Sequence, residues 1–162
     1  WTRFSKNIDQ FANVRALLTN FIVEGNFQGA AKLFEREKVL FKDPTELDNW
    51  KTLIKAETDY DRFTKGAIPP QQALEGLNSV LNIQHGLNVG SSEICKACIP
   101  LISRQLVDVY SAMGDFKGAY NVPVLVLSLA KKNSKWFSKK DYIALLESVK
   151  KAKIAEERSK QQ

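Results

Sequence analysis

The chain contains two copies of one short pattern, and these copies constrain its fold more than any other feature. Leu17–Ala30 reads LLTNFIVEGNFQGA, and Leu106–Ala119 reads LVDVYSAMGDFKGA. Leu, an aromatic residue, Gly, Phe and Ala occur at the same spacing in both. A glycine accepts a left-handed backbone cheaply and so suits the end of a helix, and the Asn or Asp after it can cap the next helix. Each copy therefore predicts two helices joined by a tight turn.

The residues after each turn predict that the two helices pack against each other. Phe27 and Phe116 can fold back onto the first helix, and Ala30 and Ala119 let two backbones approach. Apolar residues spaced by three and four continue through the rest of the chain, which indicates further helices. Repeated helical hairpins are typical of solenoids. We therefore predict an all-α fold, an α-solenoid of about three to four antiparallel helix pairs, or about seven to eight helices.

Prolines divide the remaining helices. Pro44, and Pro69 with Pro70, suit the first turn of a helix, where the missing N–H is not needed. Pro100 predicts a kink, or a break into two helices near Ala97, and Pro123 predicts a kink or a restart.

Polarity and spacing predict the remaining loops and the last helix. A polar loop or frayed helix end is expected at 59–66 and a loop at 85–92. Ser138 is expected to cap a last helix, whose predicted inward residues are Tyr142, Leu145, Leu146, Val149 and Ala152. We predict one helical-repeat domain over 1–155 and a frayed polar tail over 156–162.

The length and composition fit one domain with a sizeable core. The chain has 162 residues, of which 44% are hydrophobic. It begins with Trp rather than Met, so we expect a piece of a longer chain. The longest apolar run, Val122–Ala130, has nine residues, whereas a membrane-spanning helix needs about twenty. This run predicts a buried helix, and no membrane span is expected.

The net charge of +6 lies at one end of the chain. Residues 131–162 hold ten Lys and Arg against four Asp and Glu, so the remaining 130 residues hold fourteen of each sign. Five of these lysines flank Trp136 and Phe137: Lys131, Lys132, Lys135, Lys139 and Lys140. Positive charge beside an aromatic ring is typical of nucleic-acid sites. The alternative is a solvated helix end, at which lysines complement the helix dipole.

The two hairpins resemble tetratricopeptide repeats and, more closely, pentatricopeptide repeats. The matching residues are Leu17, Phe21, Gly25, Phe27, Ala30 and Phe34 in the first copy, and Leu106, Tyr110, Gly114, Phe116 and Ala119 in the second. The resemblance implies that the first helices of the pairs line a concave groove, and that the groove binds single-stranded RNA at about one base per repeat.

The family's main base-reading residue stands ten positions before the turn Gly and is usually Asn, Ser or Thr. The matching residues here are Arg15 and Arg104, with Lys51 at the equivalent place in the middle pair. A wall of basic residues implies contacts to phosphates, which position a nucleic acid without specifying its sequence.

The other candidate sites have simpler explanations. Cys95 and Cys98 form a lone CxxC, and His85 is the only histidine. Zinc would need a fourth ligand. We interpret the cysteines as small apolar residues on a buried helical face, with an exposed redox dithiol as the alternative. The pair Asp59 and Asp61 is typical of a solvated helix end. No nucleophile with a matched base is recognisable, so we expect no enzyme activity, cofactor, metal or small-molecule substrate.

These observations predict a non-enzymatic RNA-binding domain. The partner would be single-stranded RNA, held by the basic C-terminal residues and the Arg15, Lys51 and Arg104 wall. The alternative is a protein-interaction solenoid, a scaffold or subunit of a larger assembly. The expected location is intracellular: the mitochondrial matrix if the chain is pentatricopeptide-like, otherwise the cytoplasm or nucleus.

Overall fold

The fold is all-α, as the periodicity predicts. A computed structural model describes the backbone of residues 2–82 and 94–161, and the side chains within these ranges from residue 10 onward. These residues form no strand. Their seven α-helices are α1 (Thr2–Val23), α2 (Phe27–Glu37), α3 (Pro44–Thr64), α4 (Pro70–Leu81), α5 (Cys98–Ala112), α6 (Phe116–Lys132) and α7 (Lys139–Lys160), with short 3-10 helices at Lys38–Leu40 and Ser134–Trp136.

The two repeated turns have nearly the same geometry. Gly25 and Gly114 have left-handed φ angles of +82° and +75°. The capping residues Asn26 and Asp115 have φ/ψ of −89°/74° and −91°/78°. Each accepts a hydrogen bond of 2.9 Å from the backbone N–H three residues further on. The predicted hairpins α1–α2 and α5–α6 are confirmed.

The helices pack in chain order, each against the next, around one apolar core. The largest fully buried side chains include Trp50, Leu53, Leu77, Ile102 and Leu106. In addition α5 touches α7, and α1 touches α5, so a helix of the first pair meets a helix of the third. These packed pairs are consistent with a helical bundle, and the solenoid stays a prediction. No helix in the described ranges is long and apolar enough to cross a bilayer.

The prolines act as helix starts. Pro44 and Pro70 are the first residues of α3 and α4. Pro100 lies in the first turn of α5, which begins at Cys98 directly after a hydrogen-bonded turn. Pro100 therefore lies at a helix start and not at a kink inside a helix. Pro123 lies inside α6, which continues through it. The loop predicted at 85–92 lies outside the described residues.

The prediction of a polar loop or frayed helix end at 59–66 is wrong for residues 59–64, because α3 runs without interruption to Thr64. One side of this segment faces the core, but the charged residues between its apolar ones made the segment read as a loop in the sequence. Tyr60 and Phe63 pack against the core, and Asp59 is buried. Gly66, with φ of +74°, follows the helix end.

The last helix begins as predicted. Ser138 and Asp141 form a reciprocal capping box, and Leu145 and Ala152 are buried. Leu146 was predicted to face inward, but its side chain is 44% exposed. The helix continues to Lys160, beyond the boundary predicted at 155.

Candidate functional site

The structure places the predicted groove residues in different surroundings. Arg15 donates two hydrogen bonds to the carboxylate of Glu46, at 2.7 and 2.8 Å, and its guanidinium lies 3.6 Å from the centre of the Phe11 ring. Paired N–H donors on one carboxylate hold a guanidinium in a fixed direction. The positive charge of Arg15 is therefore neutralised by Glu46, and this ion pair joins α1 to α3.

Arg104, at the same repeat position, lies in a cleft of about 270 Å³. Lys140, from the predicted lysine cluster, lines the same cleft. Its other lining residues are Val23, Pro100, Asp141, Ala144 and Leu145. Arg104 makes no ion pair with any residue that the structure describes. Arg104 and Lys140, which two separate sequence patterns predict as binding residues, thus line one cleft between α1, α5 and α7. Most of the other residues that line this cleft are apolar.

Lys51 is exposed on α3 and does not line this cleft. The three residues of the predicted wall therefore do not share one site. Arg104 lines a cleft with Lys140, Arg15 is paired with Glu46, and Lys51 lies outside the cleft.

The five predicted lysines are all exposed, but their helix positions differ. Lys131 and Lys132 lie in the last turn of α6, where positive charge complements the negative end of the helix dipole. Lys139 and Lys140 are the first two residues of α7, where positive charge opposes the dipole. Helix stability therefore explains the first two lysines and does not explain the second two.

Trp136 is half-buried and packs against the core. The ammonium of Lys96 lies 4.9 Å from the centre of its ring, within the range of a cation–π interaction. Phe137 is also half-buried. No pattern in the sequence links Lys96 to Trp136, since they belong to different segments.

We define the basic surface as the cations gathered near Trp136 and the cleft. They are Lys96, Arg104, Lys131, Lys132, Lys135, Lys139 and Lys140.

Cys95 and Cys98 are buried, at 1% and 0% exposure, which fits their predicted place in the core. They also form a disulfide. The interpretation as two simple apolar residues is therefore corrected: the bond closes the turn that precedes α5 and carries Lys96.

A buried acid joins α3 to α5. The side chain of Glu57 is fully buried, and Gln105 Nε2 donates to its Oε2 at 2.6 Å. Burial raises the pKa of Glu57 from 4.5 to about 8, although the Gln105 hydrogen bond acts in the opposite direction. With a pKa of about 8 this carboxyl is mostly protonated at pH 7, and a neutral carboxyl can remain in the core.

Next to it on α3, Tyr60 donates a hydrogen bond of 2.9 Å to Asp108. Burial and the Asp108 carboxylate both raise the pKa of Tyr60. Among the described residues no group of three or more His, Cys, Asp or Glu could hold a metal ion. The Glu57–Gln105 and Tyr60–Asp108 hydrogen bonds both connect α3 to α5.

No protein-family model, curated protein or solved structure matches the chain. The likeness to tetratricopeptide and pentatricopeptide repeats rests on the hairpin residues alone.

Proposed function

We propose that the chain is a non-enzymatic domain that binds single-stranded RNA through the basic surface. The observation that carries this proposal is the meeting of Arg104 and Lys140 in one cleft. The hairpin pattern predicts Arg104, and the charged end of the chain contains Lys140. The packing of α7 on α5 brings the two residues into the same cleft.

The placement of Lys139 and Lys140 supports the proposal. Two cations at a helix N-terminus cost stability because they face the positive end of the dipole. A phosphate bound beside them would be attracted by both the lysines and the helix end. Binding of a negatively charged ligand would thus explain the presence of Lys139 and Lys140, which the stability of α7 does not explain.

The chemistry of the surface favours phosphate contacts over base reading. Lysine ammoniums are point charges, and contacts to phosphates fix the position of a strand without carrying sequence information. We therefore expect binding that depends strongly on salt and little on sequence.

Trp136 has a more specific part in this proposal. A base can stack on its indole only if Lys96 moves off the ring, because the ammonium lies over it. We infer that Lys96 exchanges the ring for a phosphate when RNA binds. Replacing Trp136 with Leu should then cost about 1–3 kcal/mol of binding free energy, with the salt dependence nearly unchanged.

Arg104 and Arg15 offer a matched test, since they occupy the same position in the two hairpins. Fluorescence anisotropy with a labelled single-stranded RNA would compare Arg104→Gln and Arg15→Gln with the unmodified protein. We expect Arg104→Gln to weaken binding and lower the slope of log affinity against log salt by about 0.7. Arg15→Gln should leave both unchanged, because Glu46 already neutralises that guanidinium. Lys32→Gln, an exposed position on α2, serves as the control for total charge.

Equal losses in all three variants would show that binding follows net charge rather than this surface. Absence of RNA binding in the unmodified protein would favour the alternative, a domain that binds only other proteins.

A further inference from the structure

The outward side of α7 carries an apolar stripe that the fold leaves exposed. Ile143, Leu146 and Ile154 are 48%, 44% and 49% exposed, and Leu145 and Ala152 on the opposite side are buried against the rest of the bundle. With about 100° between successive residues, the three exposed side chains and Lys150 fall within about 80° of one another. We call this stripe of Ile143, Leu146, Lys150 and Ile154 the outer face of α7.

The borders of the outer face carry more positive than negative charge, with Glu147 and Glu157 as the exposed acids beside it. The helix contains seven Lys and Arg against four Asp and Glu. Two of these acids are already engaged, Asp141 in the capping box and Glu156 in an ion pair with Lys160. Lys150 lies on the stripe itself, and Lys139 and Lys153 are exposed beside it. An apolar stripe with cationic borders is complementary to an apolar stripe with anionic borders.

We propose that the outer face of α7 binds an amphipathic helix of another protein whose apolar stripe is flanked by Asp and Glu. The contact from Ile143 to Ile154 would run along about 17 Å of helix, so a partner segment of about 12–15 residues would cover it. Helices recognised in this way present apolar anchors spaced by three, four and seven residues. The proposal does not depend on RNA binding.

The features of this face disfavour other occupants. A second copy of the chain packed through α7 would place the Lys150 and Lys153 borders of both copies close together, and like charges repel. RNA gains little from the stripe, because bases stack on aromatic rings and the outer face has only aliphatic ones.

The test uses two synthetic peptides of about 20 residues. Both carry Leu at helix spacings of three and four, with Glu at every flanking position in the first peptide and Lys in the second. Calorimetric titration should show that the chain binds the Glu peptide at least about tenfold more tightly than the Lys peptide, a difference of about 1.4 kcal/mol.

A triple variant removes the stripe and keeps the charge: Ile143→Gln with Leu146→Gln and Ile154→Gln. Gln is a good helix former, so circular dichroism should show α7 intact. We expect the Glu peptide to bind at least about tenfold more weakly, and Val39→Gln, a 69% exposed apolar residue outside α7, to have no effect. Lys150→Glu with Lys153→Glu should abolish or reverse the preference between the peptides.

Failure of the unmodified chain to bind the Glu peptide would overturn the proposal, as would equal binding of both peptides or undiminished binding by the triple variant. Binding to phosphatidylserine vesicles, or self-association in sedimentation, that the triple variant loses would assign the face to a different occupant and would also contradict it. The triple variant should bind RNA normally, because it retains the basic surface. A matching loss of RNA affinity would mean that the stripe belongs to the RNA site, which contradicts a separate protein surface.

Discussion

Gly114 and Gly25 show how single residues set the path of this chain. Each ends a helix with a positive φ, and the next residue caps the following helix at the same distance in both turns. Nothing lies within 4 Å of the place where a Cβ would stand on either glycine. Glycine is therefore required at these two positions because of the positive φ angle, and not because a side chain would lack space.

Replacing Gly114 with Val should destabilise the domain by about 1–3 kcal/mol, because a β-branched side chain is strained at a left-handed position. Urea denaturation would measure the change. Met113→Val is the matched control, since Met113 is the preceding residue and has a right-handed φ of −83°. If the two variants unfold alike, the α5–α6 turn has a different geometry from the one described.

Glu57 makes a second residue-scale prediction, on the effect of pH. Its pKa is about 8 in the folded state, above the ordinary 4.5. Between these two pH values the folded protein keeps a proton on Glu57 that the unfolded chain has released. The stabilising contribution is therefore complete below pH 4.5 and is lost as pH rises through about 8. The steepest loss is about 1.4 kcal/mol per pH unit.

Glu57→Gln should flatten this dependence, since the amide cannot ionise and its oxygen can still accept from Gln105. Free energies of unfolding at pH 5, 6.5 and 8 would test the claim. A variant that loses stability with pH as steeply as the parent would show that Glu57 is not the responsible group.

At the scale of elements, the two lysine pairs around Trp136 should affect stability in opposite directions. Lys139→Glu with Lys140→Glu places negative charge at the N-terminus of α7 and should stabilise it, by about 0.3–1 kcal/mol per charge. Lys131→Glu with Lys132→Glu removes the favourable charges at the end of α6 and should destabilise the protein by a similar amount. Thermal melting of both variants at low salt would show the difference, and equal shifts would contradict the dipole argument.

The disulfide between Cys95 and Cys98 spans a sequence separation of three residues. In the chain-entropy view, a bond that closes so short a loop restricts the unfolded chain only modestly, by about 2 kcal/mol. Reduction, or Cys95→Ala with Cys98→Ala, should therefore lower stability by no more than about this amount. Denaturation with and without a phosphine reductant would measure it, and an increase in mass of two hydrogens would verify reduction. Complete unfolding on reduction would show that the bond holds much more of the fold than this turn.

The same elements show what the sequence could and could not predict. Turns and caps depend on residues a few positions apart, so Gly25, Asp115 and Ser138 revealed them. Which charged groups are matched depends on contacts between distant segments. Arg15 meets Glu46 across 31 residues, and Glu57 meets Gln105 across 48. Helical periodicity places a residue on a face, but it does not identify the partner helix.

At the scale of the whole molecule, the packing of the last helix decides the proposed function. Contacts of α7 with α5 and α6 bring Lys140 to Arg104, and they turn the Ile143, Leu146 and Ile154 side chains outward. The basic surface and the outer face of α7 therefore adjoin, and the triple Gln variant removes the apolar stripe without changing the basic surface. The charge excess predicted the first surface, whereas the exposure of Leu146 became evident only from the packing.

The most direct test of the central claim is a titration of single-stranded RNA at two or more salt concentrations, with the unmodified chain and with Lys139→Glu, Lys140→Glu. The loss of two phosphate contacts should weaken binding and lower the slope of log affinity against log salt by about 1.4. Because this variant should be at least as stable as the parent, weaker binding could not be attributed to unfolding. Salt-independent binding, no RNA binding at all, or an unchanged affinity in the variant would contradict the account.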